Sequence, residues 1–118
     1  MIKIGKASLN LQEITQSIFG DKSIEISSEV EGIVNESYKF LSEFSKNKVI
    51  YGINTGFGPM AQYKIEEADQ IKLQYNLIRS HSSGFGDYLA PNYAKAAMIA
   101  RLNTLSLGYS GVNITAIK

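Results

Sequence analysis

The chain contains no cysteine and only one histidine among its 118 residues. Without cysteine there can be no disulfide, no thiolate metal site and no thiol nucleophile. With one histidine, a multi-histidine metal centre within a single chain is excluded as well. Charge of one sign is also missing: twelve Lys+Arg oppose eleven Asp+Glu, for a net +1. A protein that grips a phosphate backbone needs a basic excess, so nucleic acid is not an expected partner. No apolar run approaches the ~20 residues of a membrane span, and residues 1–8 lack the apolar core of a secretory leader. No membrane partner is expected, and the default expectation is a soluble, cytoplasmic protein.

What is present is globular. Hydrophobic residues make up 44% and charged residues 19%, with a mean hydropathy of -0.09. That composition excludes disorder, collagen and low complexity. The length suits one domain of ~100–150 residues with a real core. No internal repeat and no domain boundary shows, so residues 1–118 read as one segment.

The expected elements are mainly helical. Residues 2–9 suggest a small strand. Asn10 with Glu13 has the spacing of a capping box, and Leu11, Ile14 and Ile18 follow on one face up to Gly20. Residues 23–27 alternate like a short strand. Ser28 with Glu31 suggests a second capping box. It opens a helix over 29–45 with a stripe of Val30, Ile33, Val34, Ser37, Leu41 and Phe44. A third helix is expected over 65–82, with Ile71, Tyr75 and Ile78 on one face and acidic residues near its start. A fourth opens at Pro91, runs through Ala94, Ala97, Met98, Arg101, Leu102 and Leu105, and stops at Gly108. Residues 109–118 have no evident place. The fold class is therefore mainly α with one or two short strands.

Between the second and third helices lies Gly52-Ile-Asn-Thr-Gly-Phe-Gly-Pro59. Three glycines and a proline in eight residues break both helix and sheet. A defined loop is expected, anchored by Tyr51, Ile53 and Phe57. A dinucleotide fingerprint fails because Ala61 stands where the third glycine belongs, and no Gly-Lys-Ser/Thr follows for a phosphate loop. The loop is either a structural connection or a site carried on a scaffold. Tyr51 at its mouth is either a half-buried ring or, once deprotonated, a base. His81, in Arg79-Ser-His-Ser-Ser-Gly84, either caps helix carbonyls or meets a ligand. Gln74 and Asn76 either join a polar network or face solvent, and Arg101 is either paired or a carboxylate clamp.

Three stretches taken together carry a resemblance. They are Val49-Ile-Tyr-Gly-Ile-Asn-Thr-Gly-Phe-Gly58, Leu73-Gln-Tyr-Asn-Leu-Ile-Arg-Ser-His-Ser-Ser-Gly84 and Arg101-Leu-Asn-Thr-Leu-Ser-Leu-Gly-Tyr-Ser-Gly111. In order and spacing they resemble the N-terminal part of the aromatic amino-acid ammonia-lyases, which include histidine, tyrosine and phenylalanine ammonia-lyases and related aminomutases. The resemblance runs from about Leu9 to the end. It implies the N-terminal part of a long-helix-bundle fold and a non-oxidative loss of ammonia from an aromatic amino acid. Tyr51 matches the base that removes the β-proton, Gly58 lies by the substrate, and Ser80 with His81 matches the pair that reads the aromatic ring. Ser-His is similar to the histidine-lyase pattern, giving urocanate. His81 can equally bond a phenol, and the string 58–63 resembles a bacterial subgroup with tyrosine lyases, giving coumarate.

The family's electrophile is a 4-methylidene-imidazol-5-one ring formed from an internal Ala-Ser-Gly. No Ala-Ser-Gly occurs here, so this segment carries no cofactor-forming residues. Family chains are several times longer and work as homotetramers. The resemblance thus implies a fragment, a truncated form or a short paralogue that is inactive by itself. The alternative expectation is a non-catalytic helical interaction or assembly module.

Overall fold

The computed structural model describes residues 1–5 and 9–118. Two compact units emerge, one of Met1–Ser42 with Tyr88–Lys118 and one of Glu43–Asp87. Neither seam is visible in the composition of the chain.

In the first unit, β1 (Ile2–Ile4) and β2 (Ile24–Ile26) pair in parallel, with Ile2 opposite Ile24 and Ile4 opposite Ile26. Strand alternation buries Ile2 and Ile4 and turns Lys3 outward, where it meets Glu25 at 3.9 Å. Parallel strands need a crossover, and α1 (Leu11–Phe19) supplies it. The strand expected over 2–9 is shorter than that span, and residues 6–8 lie outside the described residues. Asn10 and Glu13 form the expected capping box: Glu13 N–H donates to Asn10 Oδ1 at 2.9 Å, and Asn10 N–H to Glu13 Oε2 at 3.0 Å. The buried face of α1 is not quite the expected one. Leu11 is exposed, while Ser17 is buried and donates its hydroxyl to the Lys22 carbonyl at 3.1 Å.

The helix expected over 29–45 is α2 (Ser28–Phe44). Its cap is one residue earlier than the spacing suggested. Ser27 Oγ accepts from Val30 N–H at 3.3 Å, so Ser28 is already helical. Glu31 is consequently free of capping and pairs with Lys118 at 2.9 Å. Val30 and Val34 are buried as expected, whereas Phe44 at the end of the stripe is exposed.

The helix α4 (Pro91–Leu105) begins at Pro91, and Gly108 follows it at φ +75°. Its buried residues are Ile99 and Leu105, while Ala97, Met98 and Arg101 are exposed. Of the expected stripe, Leu105 is buried and Ala94 and Leu102 are half-buried. α4 packs on α1, and the Leu9 N–H donates to Asn103 Oδ1 at 3.3 Å. Residues 109–118 return to the core: Ile114–Ala116 form a 3₁₀ turn and Ile117 is buried. The core of this unit is Ile4, Val30, Val34, Leu105 and Ile117. Burying each such side chain contributes roughly 1.5–3 kcal/mol.

In the second unit, α3 (Glu67–His81) fills most of the helix expected over 65–82. Glu67 and Asp69 sit in its first turn and Arg79 and His81 in its last, which complements the helix dipole at both ends. The apolar face Ile71, Tyr75 and Ile78 is exposed rather than buried, and Gln74 and Asn76 face solvent. The chain is mainly α with two short strands.

Candidate functional site

All four residues expected at a site, Tyr51, Gly58, Ser80 and His81, belong to the second unit. Tyr51 and Gly58 lie in the loop between α2 and α3, and Ser80 and His81 close α3.

The loop is irregular but closes on itself through backbone hydrogen bonds. Thr55 bridges Lys64 in antiparallel fashion, Gly56 N–H donates to the Tyr63 carbonyl at 3.1 Å, and Ile65 N–H to the Asn54 carbonyl at 2.9 Å. Within that closure, Gly58–Met60 makes one 3₁₀ turn. Of the expected anchors, Ile53 and Phe57 are half-buried but Tyr51 is not. Tyr51 is 65% exposed, whereas Asn54 and Thr55 are 2% and 1% exposed. The Asn54 amide donates to the carbonyls of Ser45 (3.0 Å) and Lys48 (2.7 Å), and its Oδ1 accepts from Ile50 N–H (2.8 Å). Backbone groups with no ladder of their own need partners when buried, and one carboxamide supplies three of them. Asn54 and Thr55 escaped sequence reasoning because polar residues in a glycine-rich stretch look like surface turn residues. Their signal was position: they sit between two glycines that permit the chain to fold back over them.

Gly56 and Gly58 serve different ends. A Cβ at Gly56 would lie 2.7 Å from both the Met60 Cβ and the Met60 carbonyl oxygen, so the position tolerates hydrogen alone. Gly58 has open space around it but adopts φ +56°, which glycine takes freely. The Tyr51 ring meets Phe57 edge to face, with centroids 6.1 Å apart and planes at 73°. Phe57 thereby flanks a ring that is otherwise largely exposed.

At the end of α3, His81 Nδ1 lies 2.9 Å from the Leu77 carbonyl and 3.0 Å from Ser80 Oγ. Two lone pairs facing at that distance would repel, so Nδ1 carries the proton and donates to Leu77. In the tautomer with the proton on Nδ1, Nε2 is the nitrogen left to accept. The Ser80 hydroxyl also donates to the Leu77 carbonyl, at 2.9 Å. His81 thus caps helix carbonyls, one of its two expected roles, and keeps one nitrogen open for the other. Ser80 and His81 are brought together. Among the described residues no hydrogen bond or ring contact joins them to Tyr51 or Gly58. Arg101 lies in the first unit, exposed on α4.

Among the described residues no group of three or more His, Asp or Glu side chains is arranged to hold a metal ion. No helix among them is long and apolar enough to cross a membrane.

Residues 9–118 match the family described as aromatic amino acid lyase. A probable histidine ammonia-lyase of Thermoplasma acidophilum is 42% identical over 96% of this chain and 23% of its own length. Histidine ammonia-lyase of Streptococcus pyogenes serotype M49 is 35% identical over 100% of this chain and 23% of its own. The tyrosine aminomutase of Streptomyces globisporus superimposes with a TM-score of 0.88 at 29% identity, covering 98% of this chain and 22% of that one. The chain therefore spans about a quarter of the length of the proteins it matches. With its three motifs, its helical architecture and its match over nearly every residue, the chain belongs to the aromatic amino acid lyase family.

Proposed function

We propose that this chain supplies the base and the ring-reading residues of an enzyme that eliminates ammonia from an aromatic L-amino acid, histidine in first place. The observation that carries the reading is the Tyr51 loop: an exposed phenol on a backbone held by buried partners. Histidine is favoured by the Ser80-His81 pair and by the two histidine ammonia-lyase relatives. An imidazole N–H of the substrate can donate to His81 Nε2. A phenol O–H can do the same, which keeps tyrosine as the second substrate to test. In the elimination, the Tyr51 oxygen takes one β-proton, the C–H bonding pair becomes the Cα=Cβ bond, and the amine departs with the C–N pair. Gly58 leaves room for the substrate beside the loop.

The methylidene-imidazolone ring of the family acts as the electron-withdrawing group for the departing amine. Its Ala-Ser-Gly precursor does not occur in this sequence, so the residues present do not fit that role. The working unit in this reading is a longer, cytoplasmic, homotetrameric enzyme that contains this segment.

The test is an absorbance assay of that longer enzyme with histidine, tyrosine and phenylalanine. Urocanate from histidine is expected, and Tyr51→Phe should lower turnover about 10²-fold or more with KM little changed. No product from any of the three, or wild-type turnover in Tyr51→Phe, would refute the reading. A second reading is a non-catalytic assembly module. The purified 118-residue chain is expected to deaminate nothing under either reading, so the longer enzyme decides between them.

A further inference from the structure

Tyr51 lies in a stretch with no helix or strand of its own, so its backbone must be held by other means. The nearest amide upstream that a side chain grips is Ile50 N–H, which donates to Asn54 Oδ1 at 2.8 Å. The nearest downstream is Gly52 N–H, which reaches Thr55 Oγ1 at 3.4 Å. Both side chains are buried and both also donate. Asn54 also donates to the Ser45 and Lys48 carbonyls, and the Thr55 hydroxyl donates to the Gly56 carbonyl at 2.8 Å. The Asn54 N–H closes the same turn on the Ile50 carbonyl at 3.2 Å.

We propose that Asn54 and Thr55 are positioning residues for Tyr51, gripping the amide before it and the amide after it so that its exposed phenol is held in one direction. The proposal rests on the reading of Tyr51 as the base. It explains why a loop of this composition buries two polar side chains while leaving its largest ring in solvent. An ordinary surface turn has no need of that inversion. Neither residue reaches the reacting atoms in this arrangement; each acts through the backbone on either side of Tyr51.

The test is a double-mutant cycle in the complete lyase that carries this segment. Thr55→Val keeps the shape and removes the hydroxyl. It should lower kcat about tenfold or more while KM changes less than about threefold, because misplacing a reacting group costs turnover rather than binding. Thr55→Ser, which restores the hydroxyl, should return kcat to within about threefold of wild type. In a Tyr51→Phe background, Thr55→Val should change the residual kcat by less than about twofold, since the group it positions is gone. A loss of the same factor in both backgrounds would mean that Thr55 supports the fold in general, and would overturn the proposal while the base reading stands. Wild-type turnover in Tyr51→Phe would overturn both. Asn54→Asp, which places a carboxylate against two carbonyl oxygens, should show the same non-additivity. If that variant does not fold, the Thr55 series decides.

Discussion

At the scale of single residues, the glycines of the loop separate two physical demands that look identical in the sequence. Gly56 is required by space and Gly58 by backbone conformation. An alanine at 56 must push the Met60 backbone and side chain away, at about 1–3 kcal/mol. An alanine at 58 meets no neighbour and bears only the left-handed conformation, about 1–2 kcal/mol. Neither cost is relieved by shortening the Met60 side chain. A second change, Met60→Ala, should not rescue Gly56→Ala, because the carbonyl of residue 60 still stands in the way; nor should it alter Gly58→Ala. Urea unfolding of the four variants reads both outcomes. The histidine makes a related point. Its two candidate roles are compatible, because the nitrogen that caps Leu77 is not the one left open.

At the scale of elements, the helix starts are the sharpest test of local reasoning. The Asn10 box stands as its spacing predicts, but in place of the second box a one-sided cap forms one residue earlier, where Ser27 Oγ accepts from Val30 N–H. Ser27→Ala should cost about 1 kcal/mol by chemical denaturation, and Ser28→Ala close to nothing. Equal losses would restore the Ser28 cap. Such one-residue slips are invisible in a run of two serines, where either can serve. The existence and order of the four helices were legible because periodicity and glycine or proline punctuation agree. The faces were less so. In α4, Ala94, Ala96, Ala97, Met98, Ile99 and Ala100 are apolar nearly all round, so no single stripe marks the side that packs. In α3 the stripe is clear, yet it is exposed in this chain; amphipathic spacing shows that a face seeks apolar company, not where that company comes from. The parallel pairing of β1 and β2 depends on contacts across α1, and short strands carry no mark of their partners. The candidate residues were legible through the motif, but the buried pair that holds the loop was not.

At the scale of the whole molecule, exposed apolar residues are plentiful. Ile71, Tyr75, Ile78 and Phe85 in the second unit, and Tyr88, Leu89, Tyr93 and Met98 in the first, all face solvent. A net charge of +1 offers little repulsion between copies. The isolated chain should self-associate, with a mass by light scattering above 13.0 kDa that rises with concentration. A monodisperse monomer across that range would contradict it. The family's longer members have the additional chain with which to cover such faces, since this segment accounts for about a quarter of their length.

The return of residues 109–118 to the core has a kinetic side. Ile4, near the start, and Ile117, near the end, pack in one cluster with Val30, Val34 and Leu105. During synthesis the early strand and α2 must wait, apolar surface uncovered, while the entire excursion through Glu43–Asp87 is made. Contacts of such long sequence separation are slow to form. The first unit is thus begun first and completed last, and the loop bearing Tyr51 leaves the ribosome before the core begun upstream of it can close.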